Sequence, residues 1–212
     1  MRKIVLLILV LCATMMVQAQ IPAEVKTVLE KCGKVMENPR GLMIDMKMHM
    51  SMSVLSFNGT MKLYSKGEKS LMTMTMKLMG KELLTEEGYD GVQEWTYTSE
   101  FGKDTLVIKK AAKKSKGDYD LDFDLDKEYK TAKMKVVKDR YYEVTFTNPI
   151  SKDVPKSSVM VIDKNNYSFH EFRVKEGMLK MKLTATKITV GVSDQIFVLD
   201  LKKYPNAKVI RK

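Results

Sequence analysis

Two histidines, His49 and His170, the cysteines Cys12 and Cys32, and aspartates at every second position from Asp118 to Asp126 are the residues of this 212-residue chain whose types invite chemistry. Alternate carboxylates suggest calcium. The calcium loop of an EF-hand, however, needs a glycine at its sixth position, and here Tyr119, Leu121, Phe123 and Leu125 fill the intervening sites. The run reads instead as a solvated strand face or loop. His170 is followed by Glu171, but neighbours on a strand face opposite ways, and no spacing of Cys, His and carboxylate fits a metal. No nucleophile-elbow motif is present. Cys32 falls on the apolar face of an expected helix, where a thiol acts as a small buried hydrophobe. The chain offers no catalytic residue, no metal site and no cofactor motif, so it reads as a protein that is not an enzyme.

What it does offer is apolar contact. Eighteen methionines are present, and they alternate with polar residues. Met46, Met48, Met50 and Met52 do so in one stretch, and Met72, Met74, Met76 and Leu78 in another. A period of two puts each set on one face of a β-strand, and His49, out of phase, points away from them. Met61 and Leu63 follow the same pattern between them. Trp95 and Tyr97 are the inward candidates of a later strand, with Glu94 and Thr96 on its other face. Methionine is unbranched and flexible, poorly suited to fixing one packing and well suited to a wall that accommodates variable apolar partners. These twelve residues are the candidate binding wall.

The elements that must position this wall follow from the punctuation of the chain. Arg2 and Lys3, an apolar run over 4–17 and Val17-Gln18-Ala19 form a signal peptide, 1–19, whose apolar run is too short to span a bilayer comfortably. The remainder, 20–212, reads as a single domain of 193 residues with Cys32 as its one cysteine. Loss of Arg2 and Lys3 lowers the net charge from +11 to +9. The lysines are dispersed on strand polar faces without a nucleic-acid recognition motif, so anionic headgroups or acidic proteins are the fitting partners. The lysine-rich stretch 109–116 reads as a solvated loop.

Pro22 opens an amphipathic helix carrying Val25, Val28, Leu29, Cys32, Val35 and Met36, which stops at Asn38-Pro39-Arg40-Gly41. Strands are expected near 43–55, 60–64, 70–79, 82–89, 92–98 and 105–109, then near 133–138, 141–147, 157–163, 167–175, 178–190 and 194–200. Asn58-Gly59, Lys66-Gly67, Gly80-Lys81, Asp90-Gly91, Asn165-Asn166 and Glu176-Gly177 are the turns. The class is mostly β with helices (α+β), a single antiparallel sheet in continuous meander order that is wide enough to curl. One helix is too narrow to cover it. Either short helices hide in 109–132 or the concave face stays partly open, and an open apolar concavity is a ligand site.

Three segments carry a resemblance to a known family. They are Phe57-Asn-Gly59-Thr-Met-Lys-Leu-Tyr64, Glu87-Gly-Tyr-Asp90-Gly91-Val-Gln-Glu-Trp95-Thr-Tyr97, and the ending from Ile196 through Pro205 to Ile210. In this order, behind a signal peptide, they resemble the periplasmic outer-membrane lipoprotein carrier (LolA-like) family over most of 20–212. The resemblance implies an incomplete β-barrel with helical cover around an apolar cavity. It further implies acyl chains of lipoproteins as ligand, ferried from inner to outer membrane, with an inner-membrane ATP-driven transporter and an outer-membrane acceptor as partners. The family's arginine and proline after the early strand, which latch its helical lid, are replaced here by Tyr64-Ser65-Lys66-Gly67. A regulatory or sensory lipid-binding envelope protein of the same fold is the alternative; such relatives carry a second small domain after the barrel.

Overall fold

A computed structural model describes residues 21–111 and 125–212. The signal-peptide reading, most of the lysine-rich stretch and all of the aspartate run except Asp126 lie outside these residues. Helix α1 (Ala23–Met36) precedes six strands: β1 (Leu42–Met52), β2 (Leu55–Lys66), β3 (Lys69–Leu78), β4 (Lys81–Tyr89), β5 (Gln93–Glu100) and β6 (Lys103–Lys110). A single-turn helix, α2 (Leu125–Glu128), leads into β7 (Tyr129–Val137), β8 (Tyr141–Pro149), β9 (Ser157–Asp163), β10 (Phe169–Glu176) and β11 (Leu179–Val190). Two 3-10 turns, Asp194–Phe197 and Leu201–Lys203, precede β12 (Lys208–Arg211).

The twelve strands form one open sheet in the order β12-β6-β5-β4-β3-β2-β1-β11-β10-β9-β8-β7. The expected continuous meander is therefore two meanders, β1 to β6 and β7 to β11, joined side by side where β1 pairs antiparallel with β11. Strand β12, absent from the sequence reading, returns to the far edge and lies parallel to β6. The segment 194–200, expected as a strand, is folded locally instead: Ser193 and Asp200 accept hydrogen bonds from the amides of Gln195 and Lys202 and start 3-10 turns. Helical cover is slight, since α1 and the four-residue α2 are the only α-helices among the described residues.

Two cores lie on opposite faces of the sheet. On the first face α1 buries Val25, Val28, Leu29, Cys32 and Met36 against Leu42, Ile44, Met46 and Met48 of β1, with Val144, Phe146, Met160 and Phe169 from the second meander. Burying such side chains yields about 1.5–3 kcal/mol each, enough to dock a helix whose N-cap, Pro22, makes no side-chain cap. Glu24 in its first turn and Lys34 in its last suit the helix dipole.

The second core sits behind the first meander. Gly191, at φ +95°, redirects the chain after β11, so that Val192, Phe197 and Tyr204 pack on Leu71, Trp95, Tyr97, Leu106 and Ile108. The indole of Trp95 occupies the space above Gly88, where a Cβ would lie 2.1 Å from it. The rings of Tyr97 and Tyr204 meet at a 41° tilt with centroids 4.7 Å apart. Glu86 accepts hydrogen bonds from the hydroxyl of Tyr204 and from the Trp95 indole N–H. Burial, then the Glu86 carboxylate, raises the Tyr204 phenol above its usual range.

The second meander has no such cover on its outer face. An ion-pair ladder crosses it, Lys135 to Glu143 at 2.9 Å, Glu143 to Arg173 at 2.5 Å, Arg173 to Glu171 at 3.0 Å and Glu171 to Lys182 at 2.8 Å. At its upper end the buried Asp163 accepts from the amide of Asn165 and from Arg140 Nε, each at 2.9 Å. The Asn165 amide first, and then Arg140, hold this carboxyl below the usual range. A depressed pKa stabilises the fold above the ordinary carboxylate pKa of about 4, and this contribution disappears as pH falls through the lower folded value. Asp163→Asn is expected to cost about 1–2 kcal/mol at pH 7, with the gap to wild type closing on acidification; urea unfolding at pH 7 and pH 3 measures both.

Candidate functional site

Register assembles the methionines of four strands into rows on the face that carries α1. Met46 lies between Ala185 of β11 and Met61 of β2, and Met61 is followed by Met74 of β3. In the next row Leu183, Met48, Gly59, Met76 and Leu83 stand side by side on five strands. Beyond it come Met181, Met50 and Phe57, and last Leu179, Met52 and Leu55. Gly59 is required at its place: a Cβ would meet Met48 Cε at 2.9 Å and the carbonyl of Thr75 at 2.5 Å. Its absence lets Met48 and Met76 close over the β2 backbone.

Along β1 this wall changes from covered to open. Met46 and Met48 are 2 % and 3 % exposed beneath α1, Met50 is half-buried, and Met52 is 48 % exposed. Met61, Met72, Met74, Met76 and Leu78 are likewise half-buried, while Leu63 is buried. The apolar surface thus runs from the helix toward the end of the sheet that carries the β1–β2 and β3–β4 hairpins.

Ten of the twelve expected wall residues lie on this face. Trp95 and Tyr97 do not. Trp95 belongs to the row of Ile108, Gly88 and Leu71, and Tyr97 pairs with Leu106 and Glu86, all on the opposite side. On the methionine side β5 presents Thr96 and Thr98 instead. The expectation failed because this half of the sheet buries both faces, and the aromatic face of β5 is the one under residues 192–204. Met160, Met181, Leu183 and Phe172 join the wall from the second meander. The alternation Met181-Lys182-Leu183 is visible in the sequence, but its neighbour Met48 lies some 130 residues away in the chain.

The residues considered for chemistry stay apart from the wall. His49 faces outward, with Nδ1 2.8 Å from Asn58 Oδ1. His170 lies at a bulge of β10 and stacks on Tyr141 at 4.4 Å. Among the described residues no three His, Cys, Asp or Glu side chains converge as metal ligands would. Cys32 is fully buried on the inner face of α1, and burial pushes its thiol up to about 12. Lys66, in the stretch Tyr64-Ser65-Lys66-Gly67, bonds to Asp194 at 2.6 Å and to the carbonyl of Val192, fastening the turn that covers the second core.

The geometry among the described residues is that of an open twelve-stranded sheet with α1 packed on its apolar face. No protein-family model matches the chain, and no curated sequence matches it significantly. Among solved structures the fold is similar to that of an uncharacterized conserved protein from Thermus thermophilus, with 12% identity and a TM-score of 0.55 over 89% of this chain and 99% of that one. Alignments also reach the lipoprotein LppX of Mycobacterium tuberculosis, with 10% identity and a TM-score of 0.47 over 79% and 98% of the two chains. A LolA superfamily protein of Nitrosomonas europaea aligns with 10% identity and a TM-score of 0.40 over 82% and 97%.

Two outcomes follow from the gradient of cover. Met48→Ala is expected to cost about 2–4 kcal/mol and Met76→Ala about 1 kcal/mol or less, by urea unfolding. Cys32 is expected to resist a thiol reagent at pH 8 in the folded protein and to react in step with unfolding.

Proposed function

We propose that the protein is a periplasmic carrier that shields the acyl chains of lipoproteins on the methionine wall between the inner and the outer membrane. The observation that supports this most is that the wall loses its cover while remaining apolar. A core residue gains nothing from flexible, half-exposed thioethers, whereas a site for chains of variable length does. The LolA-like resemblance of the three sequence segments points to the same ligand class. In this reading 1–19 is removed as a signal peptide, 20–212 is the working domain, and the protein binds rather than transforms its ligand.

The thermodynamics assign the chain a passive role in loading. A lipoprotein with three chains of about sixteen carbons loses on the order of 30 kcal/mol or more on leaving a bilayer, at about 0.8 kcal/mol per methylene. Non-covalent affinity saturates near roughly 18–21 kcal/mol. Extraction therefore requires an energy-using partner, an ATP-driven inner-membrane transporter in this reading, with an acceptor at the outer membrane. The ligand on the wall must be held loosely enough to be surrendered.

Met74 and Met76 are half-buried, so carboxylates there can reach water without breaking the core. The double variant Met74→Asp/Met76→Asp is expected to keep its far-ultraviolet circular dichroism and to lose binding of a fluorescent fatty-acid probe by about tenfold or more. Unchanged binding by a folded double variant overturns the assignment of the wall. Native mass spectrometry of the exported protein distinguishes the two lipid-binding readings: a co-purifying acylated protein supports the carrier, and a free lipid alone supports the regulatory or sensory module.

A further inference from the structure

The antiparallel registers bring five connections to one end of the sheet. They are the tips of the β1–β2, β3–β4, β5–β6 and β10–β11 hairpins and the β8–β9 loop at 150–156. Each carries an exposed large apolar side chain: Val54 at 93 %, Met79 at 90 %, Phe101 at 53 %, Met178 at 71 % and Ile150 at 56 %. With Met52, Leu55 and Leu179, this end holds eight of the fourteen exposed large hydrophobics among the described residues. Turns at the opposite end are built mainly from polar residues, Lys66-Gly67-Glu68, Lys138-Asp139-Arg140 and Lys164-Asn165-Asn166.

Folding does not ask for these side chains. Met79 and Phe101 sit at φ +51° and +52°, each followed by a glycine at positive φ. Such turn positions favour Asn, Asp or Gly, and a bulky apolar residue is strained there. The chain thus places large hydrophobics where they are both uncovered and conformationally unfavourable.

Charge indicates what would cover them. Across 51–56, 77–82, 99–104, 150–156 and 175–180, together with α2, whose Glu128 carbonyl accepts from the Ile150 amide, there are eight lysines and seven carboxylates, so the cationic character of this end is concentrated beside the β10–β11 tip. Lys81 lies over the ring of Phe101, 5.4 Å from its centroid. Beside the β10–β11 tip a cavity of about 220 Å³ is lined by His49, Arg173, Lys175, Lys180 and Lys182, with Ser157, Val159, Val174 and Met181 and no carboxylate. Glu143 and Glu171 pair with Arg173, and Glu171 with Lys182. Lys175 and Lys180 have no ion-pair partner among the described residues.

We propose that this end of the sheet docks on an anionic phospholipid bilayer, with Val54, Met79, Phe101, Ile150 and Met178 entering the interface and Lys175 and Lys180 engaging headgroup phosphates. Scattered apolar tips framed by cations suit the headgroup layer, where each lysine adds modest attraction and each buried methylene adds to it. The uncovered end of the methionine wall, at Met50 and Met52, meets the same rim. Docking there brings the wall to the membrane surface, yet it requires no acyl chain on the wall and so stands apart from the carrier reading.

The test is flotation of the purified protein with vesicles of phosphatidylcholine alone or with about 30% phosphatidylglycerol, in about 0.1 M and 0.5 M salt. Binding is expected to the anionic vesicles and to fall severalfold at the higher salt. The variant Met79→Asn/Phe101→Asn puts favoured residues at the strained positions, so it should melt no lower than wild type while binding anionic vesicles about tenfold more weakly. Lys175→Gln/Lys180→Gln is expected to lose binding at low salt. The Met74→Asp/Met76→Asp variant should still float, while the tip variant should still bind the fatty-acid probe, which separates failure of the rim from failure of the wall. Absence of wild-type flotation, equal flotation of the folded tip variant, or a tip-dependent dimer that ignores vesicles would overturn the proposal.

Discussion

Pairing of β1 with β11 is the constraint on which the remaining architecture depends. It joins the two meanders into one sheet, running from Leu42 opposite Val190 to Met52 opposite Leu179 with a single irregularity at Asp45 and Met46. Without it, Met48 would lose Leu183 and Met50 would lose Met181, and the helix would have no common floor. The contact closes a long loop of chain, so its entropic cost must be met by the apolar rows it completes. Folding that depends on such a distant pairing is expected to be slow relative to hairpin formation.

The seam also explains why the two halves differ in what they bury. The C-terminal turns beyond Gly191 can reach only the back of the first meander, and there they cover Trp95 and Leu106. The second meander carries alternating Lys, Glu and Arg on its back, where part-exposed cations pair with the largely covered carboxylates of Glu143 and Glu171. Its energetic contribution lies on the front, in Val144, Phe146, Met160 and Ile162. Helix α1 lies on this front, in contact with β7 and joined to Tyr167 through Lys31, while the front of the first meander holds the half-buried thioethers.

Much of this was legible in local pattern. Helix α1 was expected with the face it buries, and so were the outward turn of His49, the methionine faces of β1 and β3, and the turn at Asp90-Gly91, where Asp90 Oδ1 accepts from the amides of Val92 and Gln93. Errors arose where one signal had two structural meanings. Asn58-Gly59 looks like a hairpin turn, but the turn lies earlier, at Ser53 (φ +54°) and Val54; Asn58 and Gly59 are inside β2, the former bonded to His49 and the latter making room for Met48 and Met76. Trp95 and Tyr97 looked like wall residues because aromatic alternation marks a buried face without telling which. The pairing of β1 with β11 and the return of β12 to β6 depend on distant partners, which periodicity in one segment does not encode.

Among the described residues an open sheet of this width ends in two margins, β12 and β7, that carry no further strand, and such a margin is a template on which further copies could add. One margin is β12, only four residues long and bearing Lys208 and Arg211. The other is β7, with exposed Lys130, Lys133 and Lys135 along its length. A strand from a second molecule would meet like charge at one margin and too short a ladder at the other. The sheet can remain open, and keep its apolar face within reach, without its margins becoming the growing end of a fibril.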